Sequence, residues 1–150
     1  MDPANDTASM LAEVRAANAE LARRAVAPLW YHPTLGLLCG GAVAIQAAPI
    51  GARLVYMLAF ALGLILLVKA YRRKTGLWVS GFRPGRTLWL TVSMVPVAMG
   101  TLWLTSWLEW ERGVQGAFLI GGAGLAVLTT AYGFAWEALF RRDLRDESRL

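Results

Sequence analysis

Four apolar stretches, at about 33–49, 52–71, 87–108 and 116–140, alternate with short polar connections along this 150-residue chain. Each reads as a membrane-spanning helix, because long, nearly uncharged apolar runs satisfy their backbone only as helix inside a bilayer. The first is the shortest: PTLGLLCGGAVAIQAA, from Pro33, gives about 24 Å of helix at 1.5 Å per residue. Pro49 and Gly51 then leave almost no loop before the second run. Ahead of the four spans, residues 7–26 place Leu11, Val14, Leu21 and Ala25 at helical spacing, with Glu13, Arg15, Glu20, Arg23 and Arg24 elsewhere. The expected fold is therefore an all-α integral membrane protein. It has an amphipathic helix within residues 1–28, cytoplasmic or interfacial, four transmembrane helices in two antiparallel hairpins over 29–140, and a polar tail over 141–150.

Charge orients this pattern. The stretch Lys69 to Arg86 carries six Lys or Arg and no acid, and the N-terminal arm and tail hold most of the others. Of 15 Lys and Arg, only Arg53 and Arg112 fall on the opposite side. Such a bias places both termini and the central joint in the cytoplasm. The loop-poor, Arg-rich composition points to the inner (plasma) membrane of a bacterial cell. At 57% apolar residues and a net charge of +5, the basic clusters beside the spans suit anionic lipid headgroups better than nucleic acid.

Within the spans the small residues are the first signal. Gly36, Gly40 and Ala44 recur at spacing four, as do Gly122 and Ala126, followed by Thr130, Gly133 and Glu137. Helices in lipid associate where small residues let backbones approach, so these two faces are expected to touch. Pro96 should kink the third span, with Ser93 or Thr91 serving the carbonyl it frees, and Thr87 is placed to cap that span. Gly76 suits the end of the second. Span hydroxyls can return a hydrogen bond to their own backbone, which leaves Gln46 as the amide needing an outside partner. Glu137 stands four residues before Arg141, a spacing that makes an interfacial salt bridge its simplest role.

Candidate chemistry is sparse. No cofactor is expected. One cysteine, Cys39, and one histidine, His32, allow neither a disulfide, a cysteine metal site nor two axial haem ligands. The chain does not resemble small multidrug transporters, whose first helix carries a glutamate, nor quinone-linked disulfide-forming enzymes, which need paired cysteines. A hydrolytic site would require His32 and Glu137 to meet. The leading expectation is a non-enzymatic accessory, scaffold or oligomeric subunit that contacts another membrane protein or itself. One alternative is a small oligomeric transporter or channel, with Gln46, Thr101, Thr130 and Glu137 along a polar path. The other is an anionic-lipid-binding or lipid-acting protein, with Arg72, Arg73, Lys74, Arg83 and Arg86 on the headgroup.

Overall fold

The computed structural model describes residues 27–75 and 86–147, with Met10, 12–14, 16 and 17 of the N-terminal arm; at 75, 86–87 and 143–147 it describes backbone only. Every regular element among these residues is helical: α1 (Tyr31–Ala44), a 3-10 turn (Ile45–Ala47), α2 (Ile50–Thr75), α3 (Arg86–Trp110) and α4 (Ala117–Glu147). Three stretches are long and apolar enough to cross a membrane: Ile50–Lys74, Leu88–Trp110 and Ala117–Arg142. The chain is a membrane protein on that ground.

The helix ends follow local chemistry. α1 begins with Pro33 in its first turn, where a missing N–H costs nothing, and the Thr34 hydroxyl donates to Trp30 O at 2.7 Å. It is only 14 residues long, shorter than the expected first span. Its last turn tightens into the 3-10 segment, and Ala48 goes extended, as the residue before a proline must. Arg53 then folds back so that its Nε donates to Ala48 O at 2.7 Å, closing the two-residue link.

Several boundaries differ from the expectations above. Residues 141–147, read as tail, continue α4 to Glu147, because that segment offers no Gly or Pro to stop a helix. Arg86 is already helical, so Thr87 lies inside α3 rather than capping it. Ser93 donates to Leu90 O at 2.9 Å and not to Val92 O, the carbonyl that Pro96 leaves without its helical donor. Gly76, and most of the 7–26 helix including Leu11, Arg15, Leu21, Arg23, Arg24 and Ala25, lie outside the described residues.

Packing joins the helices into a row rather than a closed ring. α1 lies along α4, α4 also carries α3, and α2 rests on the other side of α1, giving the order α2–α1–α4–α3. Small residues set the central seam: a methyl group on Gly36 would strike Thr130 Oγ1 and Ala126 O, and one on Gly40 would strike Gly122 O. Gly122 in turn faces Gly40 O and Ala44. Contact numbers on one helix rise as those on the other fall, so α1 and α4 are antiparallel. The buried cluster Val43, Phe118 and Leu125 is completed by Met94, Val97, Ala98 and Leu102 of α3. α2 and α3 remain outer helices, far less buried than α4.

The α3–α4 connection is fixed by its own polar contacts. Gly113 and Gly116 take positive φ (66° and 83°), which glycine adopts without a Cβ penalty. The Phe118 N–H donates to Glu109 Oε2 at 3.0 Å, which places a carboxylate on the unsatisfied amides at the start of α4. Glu109→Ala is expected to lower unfolding free energy by about 1 kcal/mol, read as an earlier thermal melt in detergent, while Glu111→Ala leaves the melt unchanged.

Candidate functional site

The most polar buried place in the described chain is where the start of α1 meets the end of α4. His32 and Glu137 are both buried, at 6% and 7% exposure, and His32 Nε2 lies 3.2 Å from Glu137 Oε2. Either group can supply the proton of that hydrogen bond, the imidazole from Nε2 or the carboxyl in its acid form. Room for the imidazole comes from Gly133, one turn before Glu137 on α4, where any side chain would collide with the ring. Phe134 and Tyr31 meet the imidazole edge-on at 4.9 and 5.3 Å. Tyr31 also reaches Tyr71 at the end of α2, 4.9 Å between ring centres, so three helices converge here.

Glu137 Oε1 faces Arg141 Nη2 at 3.9 Å, within the half-exposed last turns of α4. The expected salt bridge to Arg141 is thus the longer of two contacts, and the closer partner lies 105 residues away in sequence. A buried carboxylate in an apolar setting needs such partners, since an unpaired one costs several kcal/mol. No hydrolytic triad results among the described residues. The neighbouring Thr130 hydroxyl donates to Ala126 O at 2.8 Å and approaches the His32 carbonyl at 3.5 Å, away from the ring nitrogens. No group of three His, Cys, Asp or Glu among the described residues is placed to hold a metal ion.

The other marked residues scatter. Gln46 falls on the 3-10 turn at the far end of α1 and donates to Ala42 O at 3.2 Å, so it takes its partner from its own helix and not from outside. Thr101 does the same with Val97 O at 2.9 Å. Only Thr130 and Glu137, of the four residues of the expected polar path, share the His32 end. Arg72, Arg73 and Lys74 are exposed on the last turn of α2; Arg83 and the side chain of Arg86 lie outside the described residues. Sequence reasoning passed over Tyr56, whose hydroxyl donates to Leu38 O at 2.8 Å and whose ring occupies the space above Gly41. The signal was available in Gly41, a further small residue in the first span.

Beside the His32 end, a groove of about 360 Å³ opens between α1, α3 and α4, lined by Leu35, Leu90, Met94, Ala98, Thr129 and Trp136 among others. Two of its residues carry unpartnered polar atoms, Thr129 Oγ1 and Trp136 Nε1. Thr129 breaks the pattern of Ser93, Thr101, Thr105, Ser106 and Thr130, whose hydroxyls all return to their own backbone. At 6% exposure an unmade hydrogen bond is costly, so Thr129→Val is expected to raise unfolding free energy by about 1 kcal/mol. A lowered melting temperature would show that the hydroxyl has a partner.

Comparison with known proteins finds no matching family model, no matching curated protein and no matching solved structure.

Proposed function

We propose that this protein is a non-enzymatic accessory or scaffold subunit of the bacterial inner membrane, working through helix contacts with another membrane protein or a second copy of itself. In this reading α1 with its 3-10 turn is the first of four spans, paired in two antiparallel hairpins, with both termini cytoplasmic. The observation that carries the reading is the open row. Its centre is sealed by the α1–α4 seam, while α2 presents Leu54, Val55, Leu58, Leu62 and Leu66 outward, and α3 is covered as little. Lateral helix faces of that kind are what association inside a bilayer uses.

Charge supports the orientation. Lys69, Arg72, Arg73, Lys74, Arg141 and Arg142 lie in the C-terminal parts of α2 and α4, the ends that adjoin His32, whereas Arg53 and Arg112 stand at the opposite ends. The positive-inside bias then puts the His32 end in the cytoplasm. A transport reading finds little support, since Gln46 and Thr101 both turn back to their own helices. The lipid-binding reading keeps one specific observation, the groove beside Trp136.

Two measurements test the proposal. A cysteine introduced between 75 and 85 in a Cys39→Ala background should resist membrane-impermeant labelling from outside intact cells; labelling there overturns the topology. Cross-linking and native mass spectrometry in mild detergent should return a defined oligomer or a stoichiometric partner. A monodisperse monomer with nothing bound overturns the scaffold role.

A further inference from the structure

The groove between α1, α3 and α4 is a blind slot. Away from His32 it ends on the cluster of Val43, Phe118 and Leu125, against which Met94, Val97, Ala98 and Leu102 of α3 pack. From there towards the His32 end it is walled by Leu35 of α1, by Leu90 and Met94 of α3, and by α4. None of its lining residues is charged. A volume of about 360 Å³ lies within the range of small-molecule sites, which are mostly apolar with a few placed polar groups. At about 30 Å³ for each heavy-atom group it takes roughly a dozen of them, a substituted six-membered ring and little more.

Two polar atoms in these walls are buried without a partner, Thr129 Oγ1 and Trp136 Nε1. The indole N–H can only donate, and the Thr129 hydroxyl donates into the slot once it turns about χ1. Trp136 is held by stacking on Phe140, with ring centres 5.1 Å apart and planes 10° from parallel. Both residues lie on one face of α4, two turns and about 10 Å apart along the axis. Depth narrows the choice of partner. Thr129 stands midway between Ala117 and Arg141, about 18 Å of helix from each, where half a hydrocarbon core is about 15 Å. Its hydroxyl is thus near the bilayer midplane, deeper than the ester carbonyls of a phospholipid held at the interface.

We propose that this slot binds a lipid-soluble quinone. The ring lies against Met94 and Ala98, one carbonyl accepts the Thr129 hydroxyl, and the carbonyl across the ring accepts the Trp136 N–H. A ring with a hydrogen bond of about 2.9 Å at each end spans a distance of the order of the two-turn step between the donors. Complementarity selects the class. Uncharged walls reject an ion, and a wholly apolar ligand or partner helix face leaves both donors unmet. A pair of carbonyls at midplane depth requires a molecule that dissolves in the hydrocarbon core rather than one tied to a headgroup. The tail leaves for the lipid past Val95, a lining residue that is 63% exposed. The inference goes beyond the scaffold role and rests only on α3 and α4 being embedded in lipid.

The test is equilibrium dialysis of the full chain in maltoside micelles against decyl-benzoquinone, with empty micelles as the blank and decylbenzene, which has no carbonyl, as the comparison ligand. Wild type should take up one quinone per chain, about tenfold more tightly than decylbenzene, as two hydrogen bonds predict. Trp136→Phe keeps a ring on Phe140 and removes the donor; it and Thr129→Val should each weaken quinone binding about fivefold and leave decylbenzene unchanged. Val95→Trp sets an indole across the slot from an exposed position, should abolish uptake of both ligands, and serves if Trp136→Phe fails to fold. Four results overturn the proposal: no saturable uptake above the blank, equal affinity for the two ligands, quinone affinity unchanged by the variants that fold, or a phospholipid or second copy seated in the slot instead. Native mass spectrometry of the same samples reads the oligomeric state separately. A monomer without a protein partner that binds quinone defeats the scaffold role alone, and a defined oligomer that binds none defeats this site alone.

Discussion

Gly40→Leu should separate α1 from α4 and leave little folded protein. A methyl group at this position already meets Gly122 O and the Ala126 side chain at 2.7 Å, and backbone on the facing helix cannot rotate away as a side chain can. Overpacking typically costs 1–3 kcal/mol, so with backbone as the obstacle a loss of about 3 kcal/mol or more is expected. That is a large part of the roughly 5–15 kcal/mol by which folded domains exceed unfolded ones. Fluorescence-detected size exclusion after a heating series would show the variant aggregating well below wild type. Gly100→Leu is the control, because nothing lies within 4 Å of a methyl group there. If both variants melt with wild type, the α1–α4 seam is not the centre of the molecule.

Glu137→Leu should be nearly as damaging, and its double variant should not be. Removing the carboxylate strips His32 of its 3.2 Å partner in a buried site, at an expected cost of about 2–4 kcal/mol. His32→Leu leaves the carboxylate with only the 3.9 Å contact to Arg141 and should cost a similar amount. His32→Leu combined with Glu137→Leu leaves no buried polar group behind, so it should recover most of the loss. Chemical unfolding of the four proteins in one detergent closes this double-mutant cycle. Strict additivity of the two single changes would mean that the residues do not interact.

Much of this architecture was open to inspection in the sequence, and the reasons differ by element. The three long spans announce themselves by hydropathy, and the small residues at spacing four name faces that lie in contact, Gly36 and Gly40 on Gly122, Ala126 and Thr130. Those same residues hide the register, because sliding two faces with a four-residue repeat by one turn gives an equally plausible match. His32 and Glu137 could therefore be named as the one possible pair without being brought together. The 3-10 turn was hidden too, since Ile45 and Ala47 are as apolar as the helix before them. The row order α2–α1–α4–α3 left no trace in composition. In lipid both the packed and the uncovered face of a helix are apolar, so the polarity contrast that reveals packing in water is missing.

The two helices at the middle of the row are the first and last of the four to be made. Until residues beyond Ala117 leave the ribosome, α1 has only α2 beside it, and α3 has no neighbour of comparable extent among the described residues. The contact that closes the row therefore forms last and spans nearly the whole chain. A premature stop ahead of α4 would thus remove the keystone, leaving α1 paired only with α2 and α3 without its packing partner.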